Sequence, residues 1–192
     1  MTSGDSMSRR RKRSTRIIGL SERFVDLEGH GLKKVDLKEH ITTVIEGVNL
    51  SGNKLIDVDL TPLIFTDNLQ TITIANNQLE SIDLEPIGQC GRLYKLDLSN
   101  NMLRQIDLSP LESCRSLMYL YIDENVLEDI DLSPLSACQG LRVLALDGNK
   151  LHVLDLLPLE PNQDISIISI KDNDITEFTI GDNHSGMVLK DK

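Results

Sequence analysis

The sequence predicts an α/β solenoid, in which short strands and short helical turns alternate around a stack of similar coils. Six asparagines recur at intervals of 24 residues, namely Asn53, Asn77, Asn101, Asn125, Asn149 and Asn173. Aliphatic residues keep a constant spacing around each of them, as Leu96 and Leu98 do before Asn101. A fixed period of this length is typical of a unit that buries its apolar face by stacking on copies of itself.

Each unit begins with a predicted strand. In the unit at residues 93–116, Leu96 and Leu98 flank Asp97, which is the alternation expected of a strand with one buried face. Strands of successive units are expected to pair in parallel, about 5 Å apart. Asn101 stands where the chain leaves the strand, and its amide can pair backbone groups that would otherwise be buried without partners. We therefore predict that the six asparagines form a structural row and do not contact a ligand.

The second half of the unit carries a further signature. The triplet 106–108 alternates again and predicts a second extended stretch, and Ser109 followed by Pro110 predicts a helix start with serine as the N-cap. One aspartate of this stretch recurs in each unit, as Asp36, Asp59, Asp83, Asp107, Asp131 and Asp155. We expect each carboxylate to accept a backbone N–H at the turn before the helix. The alternative is a cation-binding edge, although Ca²⁺ needs about six or more oxygens and the row supplies one carboxylate per unit.

The pattern L-x-x-L-x-L-x-x-N-x-L, continued by I-D-L-x-P-L-x-x-C, resembles the leucine-rich repeat family. The resemblance implies a curved stack with a concave parallel β-sheet and short helical turns on the convex side. About seven repeats are predicted, at residues 22–44, 45–68, 69–92, 93–116, 117–140, 141–164 and, as a partial copy, 165–182. It also implies a non-enzymatic interaction module, scaffold or adaptor, or a regulatory subunit of a partner enzyme.

Charge divides the chain into a basic tail and an acidic domain. Residues 1–16 hold six basic residues against Asp5, a net charge of +5, so that residues 17–192 carry −15 of the overall −10. The tail is poor in apolar residues, which predicts disorder, and 17–192 reads as a single repeat domain. The run Arg9–Arg13 leaves several roles open. One interpretation is a solvated terminus, and another is an import signal. The run is also suited to contact the acidic domain, to bind an anionic membrane surface, or to anchor nucleic acid through residues 9–16.

Other site chemistry is not indicated by the sequence. Cys90, Cys114 and Cys138 are an odd number of cysteines at the repeat spacing, which predicts small buried side chains in a reducing compartment. The four histidines show no metal-ligand spacing, and we expect no catalytic site, cofactor or metal. No run approaches the roughly 18 apolar residues of a membrane span or the apolar region of a signal peptide. We expect a cytoplasmic monomer, or a nuclear one if the source is eukaryotic.

The strand positions between the buried leucines differ from unit to unit, and a partner is expected there. All three tyrosines of the chain fall on this face in two adjacent units. Exposed Tyr, Met and Arg have the composition of a binding hot spot. The predicted partner-binding residues, which we call the tyrosine patch, are Tyr94, Lys95, Asp97, Met118, Tyr119, Tyr121, Asp123 and Arg142. We predict a protein or peptide partner; the alternative is a solvated face whose tyrosines serve strand packing.

Overall fold

The computed structural model describes residues 23–184 and the strand at Val188–Leu189. The tail predicted for residues 1–16, and residues 17–22 of the predicted domain, lie outside the described residues. Within the described part, short strands and short 3-10 helices alternate along the chain.

The strands are β1 (Phe24–Asp26), β2 (Gly47–Asn49), β3 (Thr71–Thr73), β4 (Lys95–Asp97), β5 (Tyr119–Tyr121), β6 (Val143–Ala145), β7 (Val153–Asp155), β8 (Ile167–Ser169), β9 (Glu177–Thr179) and β10 (Val188–Leu189). The 3-10 helices are Leu37–Glu39, Thr61–Phe65, Glu85–Ile87, Ser109–Ser113, Ser133–Ala137, Leu157–Leu159 and Asp182–His184. Eight strands form one parallel sheet in the order β1-β2-β3-β4-β5-β6-β8-β10, and β7 pairs with β9 in a second, two-stranded sheet. This architecture confirms the predicted solenoid.

The register of the large sheet repeats the period of the sequence. Ile72 pairs with Leu96, and Leu96 pairs with Leu120, so that each strand residue lies beside the residue 24 positions further on. The first step is one residue shorter, because Val25 pairs with Val48. The middle residue of each of these strands points inward, and Ile72, Leu96 and Leu120 have no exposed surface. The core is therefore a stack of aliphatic layers, one for each coil.

Each asparagine of the row bridges neighbouring repeats. Asn101 Nδ2 donates to the carbonyl oxygens of Leu98 in its own repeat and Ile74 in the preceding one, both at 3.1 Å, and its Oδ1 accepts from the N–H of Leu79 at 3.1 Å. The same pattern is formed by Asn53, Asn77, Asn125, Asn149 and Asn173. The row thus satisfies backbone groups at the strand ends, where an unpaired buried group would be costly.

Backbone bonding also explains the aspartate row, as predicted. Asp107 Oδ1 accepts from the N–H of Ser109 at 2.9 Å. The equivalent bonds at Asp36, Asp59, Asp83, Asp131 and Asp155 span 2.8 to 3.0 Å. Hydrogen bonds from the backbone and hydroxyl of Ser109 hold the pKa of the Asp107 carboxyl below its ordinary value. This row is accordingly part of the turn structure.

The prediction of a serine N-cap is wrong. The 3-10 helix begins at Ser109 itself, and the residue at the cap position is Leu108, which offers no side-chain hydrogen bond. The N–H and hydroxyl of Ser109 are both directed to Asp107. Glu85 and Leu157 start their helices with the same aspartate bond although they have no hydroxyl. The carboxylate two residues earlier therefore fixes the helix start, because it accepts the N–H of the first helical residue.

The predicted second extended stretch becomes a strand in the last two described repeats. There β7 pairs with β9, with Leu154 beside Phe178. In the earlier repeats the corresponding segments, such as 106–108, are not strands. A sheet requires backbone hydrogen bonds between the extended segments of neighbouring coils. Within the described residues, the second extended stretch forms such bonds only between β7 and β9.

The three cysteines occupy equivalent interior positions and are free thiols. Cys138 Sγ donates to the carbonyl oxygen of Leu111 at 3.3 Å, and in the next repeat Asn162 Nδ2 makes the corresponding bond to Leu135 at 2.9 Å. Burial raises the pKa of the Cys114 thiol to about 12, with the neighbouring thiols adding to the shift, and burial raises that of Cys138 to about 11. Thiols in this state are poor nucleophiles, because the thiolate is the reactive form.

Candidate interaction surface

The outer face of the large sheet carries two aligned rows of side chains, one at the first residue of each strand and one at the third. The first row is Phe24, Gly47, Thr71, Lys95, Tyr119, Val143 and Ile167. The second is Asp26, Asn49, Thr73, Asp97, Tyr121, Ala145 and Ser169. Because side chains alternate along a strand, these rows face away from the buried middle residues. The two rows change chemistry at almost every step, while the interior layer beneath them stays aliphatic.

The tyrosines lie on this outer surface and are not enclosed in the aliphatic interior. Tyr94 is 37% exposed, and Tyr119 and Tyr121 are half-buried. The rings of Tyr94 and Tyr119 meet edge to face, with centroids 6.5 Å apart and planes at 77°. Such pairs are favourable by about 0.5 to 1.5 kcal/mol beyond the area they bury. The two repeats therefore present a joined aromatic surface that solvent still reaches.

A cation of the chain itself lies beside this aromatic surface. Lys95 Nζ is 5.3 Å from the ring centroid of Tyr121, within the range of a cation–π contact. The same ammonium is 3.2 Å from Asp97 Oδ2. Lys95 and Asp97 occupy the two outer positions of β4, directly beside the two tyrosines of β5. Ring, ammonium and carboxylate are thus held together by strand register.

The carboxylates at this surface differ in how well they are satisfied. Asp97 Oδ1 accepts from Ser99 Oγ at 2.7 Å, and Asp147 Oδ1 accepts from Ser169 Oγ at 2.6 Å. Asp123 Oδ1 is buried and has no hydrogen-bond partner among the described residues. Burial raises the pKa of the Asp123 carboxyl above its ordinary value, and the nearby charges of Asp97, Asp147 and Glu124 add to the shift. Negative charge at this position is therefore poorly compensated.

Sequence reasoning missed a column of left-handed residues that precedes the asparagine row. Its members are Gly29, Gly52, Asn76, Asn100, Glu124, Gly148 and Asp172, with φ between 51° and 67°. Glycine, asparagine and aspartate tolerate this conformation, whereas glutamate does so rarely. A Cβ at Gly148 would lie 2.7 Å from Glu124 Oε1, so the glutamate side chain lies over the next repeat. The strained member of the column is in the repeat that carries Tyr119.

The remaining predicted residues border the tyrosines. Met118 is half-buried just before β5, and Arg142 is exposed just before β6. The carbonyl oxygen of Met118 accepts from the N–H of Arg142 at 2.9 Å, which places the two residues side by side. On the opposite side of Lys95, a shallow depression of about 370 Å³ lies around Gly47, where the sheet has no side chain, and next to Phe24. A Cβ at Gly47 would lie 2.6 Å from Thr71 Oγ1 and 2.7 Å from Phe24 Cδ1, so a larger residue there would displace these side chains.

Within residues 23–184, no group of three or more His, Cys, Asp or Glu side chains is arranged to hold a metal ion. None of the helices in the described part has the length and apolar character needed to cross a membrane.

The repeat geometry agrees with known solved structures. An internalin, InlF, from Listeria monocytogenes is 21% identical with a TM-score of 0.57, over 78% of this chain and 44% of that chain. The internalin C2 of the same species is 20% identical with a TM-score of 0.57, over 88% of this chain and 80% of that chain. The functional domain of InlJ from that species, described as including a cysteine ladder, is 18% identical with a TM-score of 0.62, over 83% and 39%. At these identities the similarity establishes the fold.

The chain accordingly spans less than half the length of the InlF and InlJ structures that it resembles. No curated protein matches the chain at a significant level. Residues 91–151 match the family model for the leucine rich repeat. These residues include all three tyrosines. The family match over residues 91–151, the stacked 24-residue coils and the solved neighbours thus agree on a leucine-rich repeat fold for the chain.

Proposed function

We propose that the chain binds a protein or peptide partner through the tyrosine patch on the outer face of the large sheet. The observation that carries the proposal is the placement of Tyr94, Tyr119 and Tyr121, which lie together, partly exposed, over an interior that is aliphatic in every repeat. Aromatic residues that keep solvent contact in a monomer are enriched at binding hot spots. Neither the fold nor the stacking of the coils needs rings at these outer positions.

The other repeated polar features are already engaged within the coil. The asparagine row binds backbone groups, and the aspartate row holds the helix starts. The outer rows of the sheet have no such repeated role, because their residues change between repeats while the backbone stays in register. Variation on the sheet face of a constant scaffold is an arrangement by which repeat proteins form different binding surfaces. This supports the sheet face over the helical side as the partner site.

The test compares two double variants of the full chain. Tyr119→Ala with Tyr121→Ala removes the two rings, and Thr71→Ala with Thr73→Ala changes the same two strand positions on β3 as a matched control. Affinity capture from the native host, followed by titration of the captured partner, should show binding weakened about 30-fold or more by the tyrosine variant. The control should bind within about twofold of the parent protein.

Folding is monitored in the same series. Loss of cross-strand ring contacts should cost about 1 kcal/mol or less of unfolding free energy. A much larger loss would show that the rings are structural. Partner capture that is equal for both variants would contradict the proposed site.

A second candidate is a nucleic-acid-associated factor, which the basic run at residues 9–16 favours. The charge of −15 on residues 17–192 opposes nucleic-acid binding by the rest of the chain. Deletion of residues 1–16 should then abolish nucleic-acid retention and its dependence on salt concentration. Retention that survives the deletion, or that the intact chain does not show, would contradict this role. Regulation of a partner enzyme is tested by measuring the activity of any captured enzyme with and without the chain.

A further inference from the structure

We propose that the segment recognised by the tyrosine patch is an arginine-rich stretch of a protein partner, whose guanidinium groups lie against the tyrosine rings and pair with the adjoining carboxylates. This inference rests on the proposed function, because it names the chemistry of the partner at the same surface. Three observations support it, namely the cation already held at the patch, the poorly compensated carboxylate of Asp123 and the strained Glu124 beside it.

The chain's own lysine shows what the surface can hold. Lys95 Nζ lies 5.3 Å from the centroid of Tyr121 and 3.2 Å from Asp97 Oδ2, so a ring and a carboxylate share one cation. No cation among the described residues lies over Tyr94 or Tyr119, although both rings are at the same surface. The patch therefore has further aromatic area of the kind that attracts cations, and a partner would supply them.

The charge at the patch has the matching sign. The charges of Asp97, Glu124 and Asp147 act on Asp123, and the ion pair at these four carboxylates joins Lys95 to Asp97. Asp123 is the least satisfied of the four, since its buried Oδ1 accepts no hydrogen bond among the described residues. An incoming cation beside these carboxylates would offset the repulsion among them. An acidic segment would instead add to the repulsion, which disfavours it as the partner.

Arginine fits this surface better than lysine. Its planar guanidinium stacks on a tyrosine face, and its donor fork pairs with a carboxylate at the same time. Tyr119 and Tyr121 project from a single strand, with Asp123 two residues further along the same chain. A partner side chain that contacts the ring of Tyr121 is therefore also close to the carboxylate of Asp123.

Backbone strain at Glu124 is consistent with a role at this surface. Glu124 has φ of 53°, in a column where the other members are glycine, asparagine or aspartate. The coil does not need a glutamate there, since glycine or asparagine forms the same turn in the neighbouring repeats. Strained residues concentrate at binding sites, where the side chain is retained for what it contacts. The strain places one more carboxylate beside Asp123.

The experiment selects peptides without assuming their charge. A random 12-residue peptide display library is panned on the full chain and, in parallel, on the chain with Tyr119→Ala and Tyr121→Ala. Peptides retained by the parent and lost by the tyrosine variant are synthesised, and each is titrated against the parent protein. We expect these peptides to contain two or more arginines, and replacement of arginine by the uncharged citrulline to weaken binding about tenfold or more.

Single-site variants then separate the patch from the general acidity of the domain. Asp123→Asn keeps the side-chain shape and should weaken the arginine peptides about three- to tenfold. Glu128→Gln removes the same charge from an exposed residue of the same repeat and should leave affinity within about twofold. Arginine peptides that bind equally to the tyrosine variant, or that respond equally to both single variants, would overturn the inference.

The two proposals fail in different ways. Peptides that need the tyrosines but are indifferent to citrulline would overturn the arginine preference and leave the proposed site intact. A library in which no peptide depends on the tyrosines would overturn both the site and the inference drawn from it.

Discussion

The two faces of β5 are formed by consecutive residues, and the choice of residue is constrained differently on each face. Leu120 has no exposed surface and repeats as a large aliphatic residue at the middle of every neighbouring strand. Tyr119 and Tyr121, one position to either side, keep solvent contact, and β4 and β6 have quite different residues beside them. The inner face is constrained by the copy above and the copy below. The outer face has no such constraint, and there the repeats diverge in chemistry.

The largest effect is expected from opening the inner face. Leu120→Ala should lower the unfolding free energy by about 2 to 5 kcal/mol, because it leaves a cavity between two closed aliphatic layers. Urea denaturation followed by circular dichroism measures this loss. Tyr121→Leu, which keeps an apolar side chain on the outer face, is the comparison and should cost much less. Similar losses for both variants would contradict the distinction between the faces.

A smaller effect is expected from the asparagine row. Asn125→Ala removes the donor to Leu98 and the acceptor for Leu103, so buried backbone groups lose their partners. The expected cost is about 1 to 3 kcal/mol of unfolding free energy. Asn173→Ala, in the last of the six repeats and half-buried, should cost less because water can replace the lost bonds. An equal loss of unfolding free energy in Asn125→Ala and Asn173→Ala would show that burial does not determine the size of the loss.

A gain in stability is expected at the left-handed column. Glu124→Asn replaces a residue that rarely adopts φ of 53° with one that does so readily. Thermal unfolding should show a stabilisation of about 0.5 to 1 kcal/mol. Asn100→Gln, which makes the opposite change one repeat earlier at φ of 51°, should destabilise by a similar amount. A loss of stability in Glu124→Asn would indicate that the glutamate side chain contributes to the fold of the next repeat.

The smallest effect on stability is expected from ionisation of the three cysteine thiols. At pH 8 the native chain should react very slowly with a disulfide reagent, because Cys90, Cys114 and Cys138 are buried and their pKa values are raised. Since each folded-state pKa lies above that of the unfolded chain, the thiols also favour folding less as the pH rises above about 9. In denaturant all three should react within the mixing time. Rapid reaction of the native protein would contradict an enclosed interior.

Much of the fold follows from the spacing of residues in the chain. The inward leucines, the parallel register and the backbone bonds of the aspartate row are all local consequences of a constant period, and each is predicted from a single unit. The helix cap was predicted wrongly because the hydroxyl and the N–H of Ser109 both donate to Asp107, and the sequence does not show whether the hydroxyl binds this carboxylate or caps the helix.

The left-handed column had a signal in the sequence that was missed. Gly52, Asn76, Asn100 and Gly148 stand 24 residues apart or a multiple of it, and these residue types favour positive φ. The environment of Asp123 had no such signal. Its burial depends on how Asp97, Asp147 and Glu124 from three repeats are brought together, and this is a property of the stacked molecule. Side-chain contacts that involve several different repeats are therefore less predictable than contacts that recur in every repeat.

The constant register of the large sheet makes the binding surface adjustable by whole coils. Tyr94 and Tyr119 belong to consecutive copies, so the distance between their rings is set by one strand step. Insertion of one additional 24-residue copy after Ser116 would move the rings apart by about 4.8 Å and break their edge contact without altering either copy. Gene duplication or deletion within such an array thus changes the spacing of recognition elements in fixed increments, and the length of a partner's motif can be matched by counting coils.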